Sequence, residues 1–154
     1  MATRIVNGIE ELRKLVGQEI GLSDWFPIDQ QRITSFAEVT EDRQWIHLDS
    51  ERAAVESPYR STIANGFLTL SLLSQFSREA VDIRGDFRMR INYGLNRVRF
   101  PAPVLVGSRL RGRFTLTSVD DFEGGVQVVW NAIVEVEGGG KPALAAEWVT
   151  RLYV

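Results

Sequence analysis

The chain has 154 residues, 44% of them hydrophobic and 25% charged, which fits one globular domain spanning residues 1–154. Cysteine is absent and His47 is the single histidine, which excludes a disulfide framework, a thiol nucleophile and a metal site with two histidines from one chain. The net charge of -2 argues against general nucleic-acid binding.

The sequence gives no sign of a membrane or export segment. Its N-terminus lacks the apolar core of a secretion signal, and no apolar run reaches the roughly 20 residues that span a bilayer. We therefore expect a cytoplasmic protein that does not bind membranes. Arginines concentrate between Arg84 and Arg113, and a solvated sheet face is favoured over a local anion site for most of them.

The first half of the chain carries helical signals. Asp29 has the features of an N-cap, and a helix is predicted from there to about Thr40, with Asp42 just past its end. Ser50 predicts the start of a second short helix, in the sequence E-R-A-A-V-E. His47 is then expected in the connection between two helices, where functional sites are common.

The segment N-G-F-L-T-L-S-L-L-S-Q, from Asn65 to Gln75, is apolar on nearly every side. A helix of this composition is expected to be buried all round. Small polar residues and a glycine precede it, so its first turn should present unpaired backbone N–H groups and the positive end of the helix dipole.

The second half alternates between polar and apolar residues, the pattern of half-buried strands. Long strands are predicted in S-R-L-R-G-R-F-T-L-T, in V-Q-V-V-W-N-A-I-V-E-V-E and in the last segment, around Trp148. The segments F-R-M-R-I-N-Y and N-R-V-R-F precede them, so we expect one antiparallel sheet.

One sheet with an apolar face and one apolar helix favour a fold in which the sheet curls around the helix. This arrangement is the hot-dog fold, of the α+β class. A helix beside a half-barrel of another topology is the structural alternative.

Asp42 and His47 are the candidate catalytic pair. The short segment between them would let both side chains share a water molecule, and a carboxylate with an imidazole can divide proton acceptance and donation. The competing interpretation is a lone histidine with a structural or surface role. Asp49 could orient the imidazole or cap the next helix, and the cap is favoured. Gln44 could bond within the loop or line the site.

The sequence F-A-E-V-T-E-D-R-Q-W-I-H, followed further along by I-A-N-G-F-L-T-L-S-L-L, resembles the (R)-specific enoyl-CoA hydratases of the MaoC-like dehydratase family. The first motif of that family is an aspartate, any residue, Asn-Pro, an aliphatic residue and His. Its second motif is Ala-His-Gly at the start of the central helix. Asp42 and His47 match the first motif, and Gly66 matches the glycine of the second.

Three features depart from the family pattern. Glu41 stands where glycine is common, Gln44 and Trp45 replace Asn-Pro, and Asn65 replaces the histidine. The Q-W-I-H sequence and N-Y-G-L-N-R-V-R-F-P-A-P-V resemble more narrowly the NodN-like branch of the family, into which the Gln-Trp pair fits.

The resemblance implies the hydration of trans-2-enoyl-CoA to (3R)-3-hydroxyacyl-CoA, and the reverse dehydration. Asp42 and His47 would hold the reacting water, and the Gly66 N–H would stabilise charge on the thioester oxygen. Ser71 would bond to Asp42, although a small residue that lets the helix pack on the sheet is an equal interpretation. The resemblance also implies a homodimer, and a reaction that needs no cofactor, since coenzyme A enters with the substrate.

The phosphates of coenzyme A call for cations. Strand alternation puts Arg97 and Arg99 on the same side of N-R-V-R-F, as a pair suited to phosphate oxygens, although exposed strand arginines are usually only solvated. The candidate substrate-binding residues are Gln44, Asn65, Tyr93, Asn96, Arg97 and Arg99.

Two other functions stay open on the sequence. A hot-dog acyl-CoA thioesterase would hold the same thioester beside the same helix end, and a non-catalytic acyl-CoA-binding protein would keep only the cavity. The Asp42 and His47 pair favours hydration over thioester hydrolysis.

Overall fold

Helices dominate the first half of the chain and long strands the second half, in a computed structural model that describes residues 2–154. In chain order the elements are β1 (Arg4–Asn7), α1 (Ile9–Arg13), β2 (Glu19–Leu22), β3 (Phe26–Pro27), α2 (Gln30–Thr40), α3 (Trp45–Leu48), α4 (Ser50–Glu56), α5 (Gly66–Ser71), α6 (Leu73–Ala80), β4 (Val81–Arg84), β5 (Met89–Arg99), β6 (Arg109–Phe122), β7 (Gly125–Val136) and β8 (Leu144–Tyr153).

The main sheet has the strand order β2-β6-β7-β8-β5, with antiparallel neighbours, and β3 also pairs with β6. Strand β5 pairs with β8 and not with β6, its neighbour in sequence. Register shifts interrupt the pairing of β2, β5 and β6, and such bulges bend and twist the strands that carry them. These shifts help to explain how the sheet curls.

Helix α6 packs directly on the concave face of this sheet. A Cβ atom at Gly112 would lie 2.7 Å from the Cβ of Phe76, and one at Gly21 would lie 2.6 Å from the carbonyl oxygen of Ala80. Glycine at these two positions therefore allows the close approach. Phe76 is completely buried, and its ring meets the ring of Phe26 edge-on at 5.9 Å between centroids. The predicted hot-dog fold is confirmed.

The central helix differs from its prediction in two respects. It is divided at Leu72 into α5 and α6, and it is not buried all round. Phe67 is 69% exposed and Ser71 is also exposed, whereas Leu68 and Leu73 are buried. An apolar composition does not reveal how much of a helix the sheet covers, and here one side of α5 stays open.

Two helix starts were predicted, and one of them is confirmed at its residue. Asp29 caps α2, since its carboxylate accepts a hydrogen bond from the N–H of Arg32 at 2.8 Å. Helix α4 is capped by Asp49, which accepts from the N–H of Arg52 at 3.0 Å, and Ser50 is the first helical residue. The prediction of Ser50 as the cap is therefore wrong by one residue, and the cap role favoured for Asp49 is confirmed.

The sequence patterns missed the short strands. Strands β1 and β4 form a separate parallel pair, and β2 and β3 extend the main sheet beside β6. Segments of two to four residues carry too few alternations to be recognised from a period. Within residues 2–154, no helix has the length and apolar character needed to cross a membrane.

Candidate active site

Asp42 reaches the site because the chain turns sharply at the end of α2. The preceding residue, Glu41, has φ 61° and ψ 22°, and its N–H donates to the carbonyl oxygen of Glu38 at 3.3 Å. This left-handed conformation is the one that glycine adopts without steric cost, which explains why the family pattern favours glycine here. The side chain of Asp42 is 45% exposed, so solvent reaches its carboxylate.

His47 lies between α2 and α4, as predicted, but this connection itself contains a single helical turn, α3, which carries the residue. It is buried, and its Nδ1 is 2.7 Å from the carbonyl oxygen of Ile63. Because a carbonyl oxygen only accepts hydrogen bonds, Nδ1 carries a hydrogen. Nε2 is therefore the ring nitrogen that is left to contact other groups of the site.

The candidate pair faces the same space. Nε2 of His47 is 3.8 Å from Oδ2 of Asp42, which is too long for a direct hydrogen bond. A water oxygen about 2.8 Å from each of these two atoms would fit, which is ordinary hydrogen-bonding distance. The fold thus brings together the two side chains singled out from the sequence, around a gap of the size of one water.

Backbone bonds fix the imidazole to the segment before the central helix. The N–H of Ile63 donates to the carbonyl oxygen of Ile46 at 3.0 Å. The carbonyl oxygen of Ile63 in turn accepts from Nδ1 of His47. Gln30 adds a further tie, because its Nε2 donates to the carbonyl oxygen of His47 at 2.8 Å and its Oε1 accepts from Thr62 at 2.5 Å. The roles of Gln30 and Thr62 were missed, since no local motif marks a contact between residues 32 positions apart.

Asn65 is buried and forms a hydrogen bond with one member of the pair, Asp42. Its Nδ2 donates to Oδ2 of Asp42 at 3.0 Å. Its other polar atom, Oδ1, is buried and has no hydrogen-bond partner among residues 2–154. Asn65 thus contacts Asp42 through one end of its amide and leaves the other end unsatisfied.

Gly66 opens α5, directly after Asn65. Its backbone N–H belongs to the first turn, and no acceptor within the described residues takes it. A Cβ at this position would lie 3.2 Å from ring carbons of Phe100, so a larger residue would press on that ring. The helix start therefore offers a free N–H close to the pair, because Gly66 directly follows Asn65, which bonds Asp42.

The prediction that Ser71 bonds to Asp42 is wrong. The hydroxyl of Ser71 donates to the carbonyl oxygen of Leu68 at 2.7 Å, within its own helix. Asp42 is instead bonded by Asn65, at the helix start. The hydroxyl of Ser71 is thus engaged within its own helix and does not orient Asp42.

Ser71 and Tyr93 both line a groove of about 260 Å³ between the central helix and β5. Leu70, Leu73 and Trp148 contribute apolar walls. The ring of Tyr93 also carries the guanidinium of Arg151 at 3.6 Å from its centroid. Of the candidate substrate-binding residues on β5, Tyr93 is the one that borders this groove.

Arg97 and Arg99 lie on the other side of the sheet. They line an outer groove of about 600 Å³ together with Thr115, Asn131 and Glu147. These three residues alternate with buried residues along β6, β7 and β8, so their side chains lie on the outer face of the sheet. Asn96 is exposed at a register shift of β5, and the side chain of Gln44 is exposed at the start of α3. Within residues 2–154, none of these four side chains forms a hydrogen bond or ion pair with the side chains of Asp42 and His47.

Other arginines of the same region form ion pairs on the outer face. Arg111 and Arg113 donate to Glu135 at 2.8 Å and 2.6 Å. Burial raises the pKa of Glu135, but the hydrogen bonds from the two arginines outweigh it and hold this pKa below its usual range. These contacts fit the interpretation favoured for most arginines, a charged sheet face.

No group of three or more His, Asp or Glu side chains in residues 2–154 is arranged to hold a metal ion. The site consists of a carboxylate, an imidazole, an amide and a free backbone N–H at the start of the central helix. A curled sheet around that helix, with this site at the start of the helix, defines a hot-dog domain with a candidate acid–base site.

Comparison with known proteins assigns the family. The family model described as MaoC like domain matches residues 11–137, and the chain belongs to that family. It is 46% identical to 3-hydroxyacyl-thioester dehydratase Z of Mycobacterium tuberculosis over 149 residues, which cover 96% of this chain and 97% of the relative.

The chain is also similar to nodulation protein N of Rhizobium leguminosarum bv. viciae. The two are 49% identical over 137 residues, which cover 88% of this chain and 84% of the relative. Among solved structures, the R-hydratase PhaJ1 of Pseudomonas aeruginosa matches with a TM-score of 0.72 and 25% identity, over 90% of this chain and 81% of that one. The resemblance seen in the two motifs, including its narrower NodN-like branch, is confirmed.

Proposed function

We propose that this protein is an (R)-specific enoyl-CoA hydratase, which adds water to trans-2-enoyl-CoA and catalyses the reverse dehydration. The observation that carries the proposal is the gap of 3.8 Å between Oδ2 of Asp42 and Nε2 of His47, beside the free N–H of Gly66. The names of the relatives, a 3-hydroxyacyl-thioester dehydratase and an R-hydratase, support the same reaction.

The pair divides the proton transfers. Asp42 takes a proton from the water as the water oxygen attacks C3, and the N–H at Nε2 of His47 delivers a proton to C2. The proton on Asp42 then passes to Nε2 through the next water that enters the gap, which restores the pair. Dehydration follows the same steps in reverse. The bond from Nδ1 to Ile63 supports these roles, because it turns Nε2 towards Asp42.

Gly66 stabilises the charge that develops during this step. Attack at C3 moves electron density to the thioester oxygen, and a preorganised N–H donor at that oxygen contributes about 3 to 4 kcal/mol to catalysis. The Gly66 N–H and the dipole of the central helix supply this stabilisation. The proposed reaction accordingly needs no metal and no redox cofactor.

The acyl chain has a candidate site in the groove between the central helix and β5. The groove is lined by apolar side chains, among them Leu70, Leu95 and Trp148, and it has a volume of about 260 Å³. It begins about one helical turn beyond Gly66, so a thioester held at Gly66 can direct its acyl chain along the helix.

Coenzyme A brings the phosphates, and Arg97 and Arg99 remain a prediction for their binding. Their place on the outer face weakens this prediction for a single chain. An Arg97→Ala, Arg99→Ala double variant tests it through KM for the CoA substrate. An unchanged KM would remove both residues from the binding site.

We further propose a homodimer that forms through β5. This strand pairs with β8 on one side only, and within residues 2–154 no strand pairs with its other edge. Such an edge favours pairing with a second chain. Five large apolar side chains on this strand and at its end are exposed: Met89, Ile91, Tyr93, Leu95 and Phe100.

Light scattering tests the dimer. Wild type should have the mass of two chains at micromolar concentration, and Ile91→Asp should shift the protein towards the monomer. Val55→Asp is the matched control, because Val55 is exposed on α4, away from this edge. A wild-type monomer, or a dimer that Ile91→Asp leaves intact, would contradict the β5 interface.

The function itself is tested with purified protein and crotonyl-CoA. Loss of the absorbance of the conjugated thioester, without release of free thiol, is the expected result, and the product should be the (3R)-hydroxy isomer. Release of free thiol would identify a thioesterase instead. Tight binding of acyl-CoA of several chain lengths without turnover would identify a non-catalytic binding protein.

A further inference from the structure

Asn65 stands at the N-cap of α5 but does not cap it. An N-cap asparagine ordinarily accepts a hydrogen bond from the backbone N–H two or three residues later. The side chain of Asn65 makes no such bond, although its backbone carbonyl accepts from Leu68 at 3.0 Å. Its amide is directed to Asp42 instead, with Nδ2 and Oδ2 separated by 3.0 Å.

The chemistry of the partner fixes the orientation of this amide. A carboxylate accepts hydrogen bonds, so the NH2 end of Asn65 must face Asp42, and the opposite orientation would set two acceptors against each other. Oδ1 is then the end that is left without a donor within residues 2–154. Asn65 is only 4% exposed, and a buried acceptor without a partner is rare and costly.

We propose that Asn65 is a positioning residue for the reaction, which holds the carboxylate of Asp42 facing His47. This inference rests on the proposed hydratase function. Nδ2 bonds the same carboxylate oxygen that lies 3.8 Å from Nε2 of His47. Rotation of the carboxylate away from the imidazole therefore requires that this bond break.

The unpartnered oxygen indicates that the amide is held for its donor end. Oδ1 is enclosed by protein atoms and has no donor among residues 2–154, while Nδ2 of the same amide bonds Asp42. A buried acceptor without a partner destabilises the fold, and such a group calls for a functional explanation. Holding the carboxylate of Asp42 in place is that explanation.

Three substitutions at one position test the donor end of the amide. Asn65→Ala should lower kcat by roughly 10- to 100-fold for crotonyl-CoA, and KM should stay within about twofold, because only positioning is lost. Asn65→Asp keeps an acceptor but sets a second carboxylate against Asp42, and it should lower kcat at least as much. Asn65→His keeps one N–H donor and should recover part of the loss seen with alanine.

A matched control separates this role from stability. Ser23 is also a buried polar residue, and its hydroxyl accepts from the N–H of Gly112 at 2.9 Å, away from the pair. Ser23→Ala should lower the melting temperature and leave kcat within about twofold of wild type. If Ser23→Ala lowered kcat as strongly as Asn65→Ala, the loss would reflect stability and the inference would be wrong.

A double-mutant cycle tests the coupling to Asp42. In an Asp42→Ala background, Asn65→Ala should cost less than about threefold in kcat, because its partner is already missing. If Asn65→Ala lowered kcat in the Asp42→Ala background as much as it does in wild type, the inference would be overturned. It would also be overturned if the single variant Asn65→Ala kept kcat within about twofold of wild type, or if it raised only KM. A wild-type protein without hydratase activity would instead remove the proposed function.

Discussion

The substitution Asp42→Asn removes the charge and the basicity of the carboxylate while it preserves the shape of the side chain. In the proposed reaction this carboxylate takes the proton of the attacking water. General base catalysis contributes about 10²- to 10⁴-fold to a rate, which corresponds to roughly 3 to 5 kcal/mol in the barrier. We therefore expect kcat for crotonyl-CoA hydration to fall at least about 100-fold.

The same substitution should cost little stability. Asp42 is partly exposed, its contact with His47 is longer than a hydrogen bond, and within residues 2–154 its carboxylate accepts a single hydrogen bond, from Asn65. Loss of such a bond costs about 1 kcal/mol, which lowers the melting temperature of a domain of this size by roughly 2 to 4 °C. Activity and stability are thus expected to separate.

The assay follows the absorbance of the conjugated enoyl thioester under saturating crotonyl-CoA, with thermal unfolding recorded on the same preparations. His47→Gln is a useful companion, since it removes the imidazole from the other side of the gap. If purified Asp42→Asn kept the wild-type rate, Asp42 would not be the base. If Asp42→Asn were inactive but also unfolded, the role of Asp42 would be tested instead by the kcat of Asn65→Ala and by the double-mutant cycle of positions 42 and 65.

Three further predictions concern the surroundings of the site. Gly112→Ala should destabilise the protein by about 1 to 3 kcal/mol, because its Cβ would overlap the Cβ of Phe76, and an unchanged free energy of unfolding would refute this packing. Glu41→Gly should raise the free energy of unfolding by up to about 1 kcal/mol, since it relieves a left-handed conformation, and a loss of stability would argue against that conformation. The pKa of Glu135 is held below its usual range in the folded state, so its contribution to stability is present above about pH 4.5 and is lost as the pH falls through the folded value. The stability difference between wild type and Glu135→Gln should therefore shrink on acidification below about pH 4.5, whereas a constant difference would contradict the ion pairs.

Local chemistry explains which parts of the fold could be predicted. The cap at Asp29 and the alternation of β6, β7 and β8 are properties of neighbouring residues, and the structure confirms both. The pairing of β5 with β8 is a tertiary choice that no local pattern carries. The open side of α5 could not be predicted for the same reason, because it depends on where the sheet ends.

The same distinction applies to the site. Asp42 and His47 are five positions apart, so one short turn can set them face to face, and their spacing was a usable signal. Asn65 lies 23 positions from Asp42, and it could be recognised only as a departure from a motif. Ser71 was assigned the contact that Asn65 makes, because a helical position does not reveal which hydroxyls bond back to their own helix.

The most direct test of the proposed reaction is a crystal structure of the Asp42→Asn variant with bound enoyl-CoA. The thioester oxygen should lie about 2.7 to 3.1 Å from the Gly66 nitrogen, with C3 next to a water held between residue 42 and His47. The acyl chain should follow the groove along the central helix, past Trp148. A thioester bound elsewhere, for example on the outer face beside Arg97, would contradict the proposed reaction at its centre.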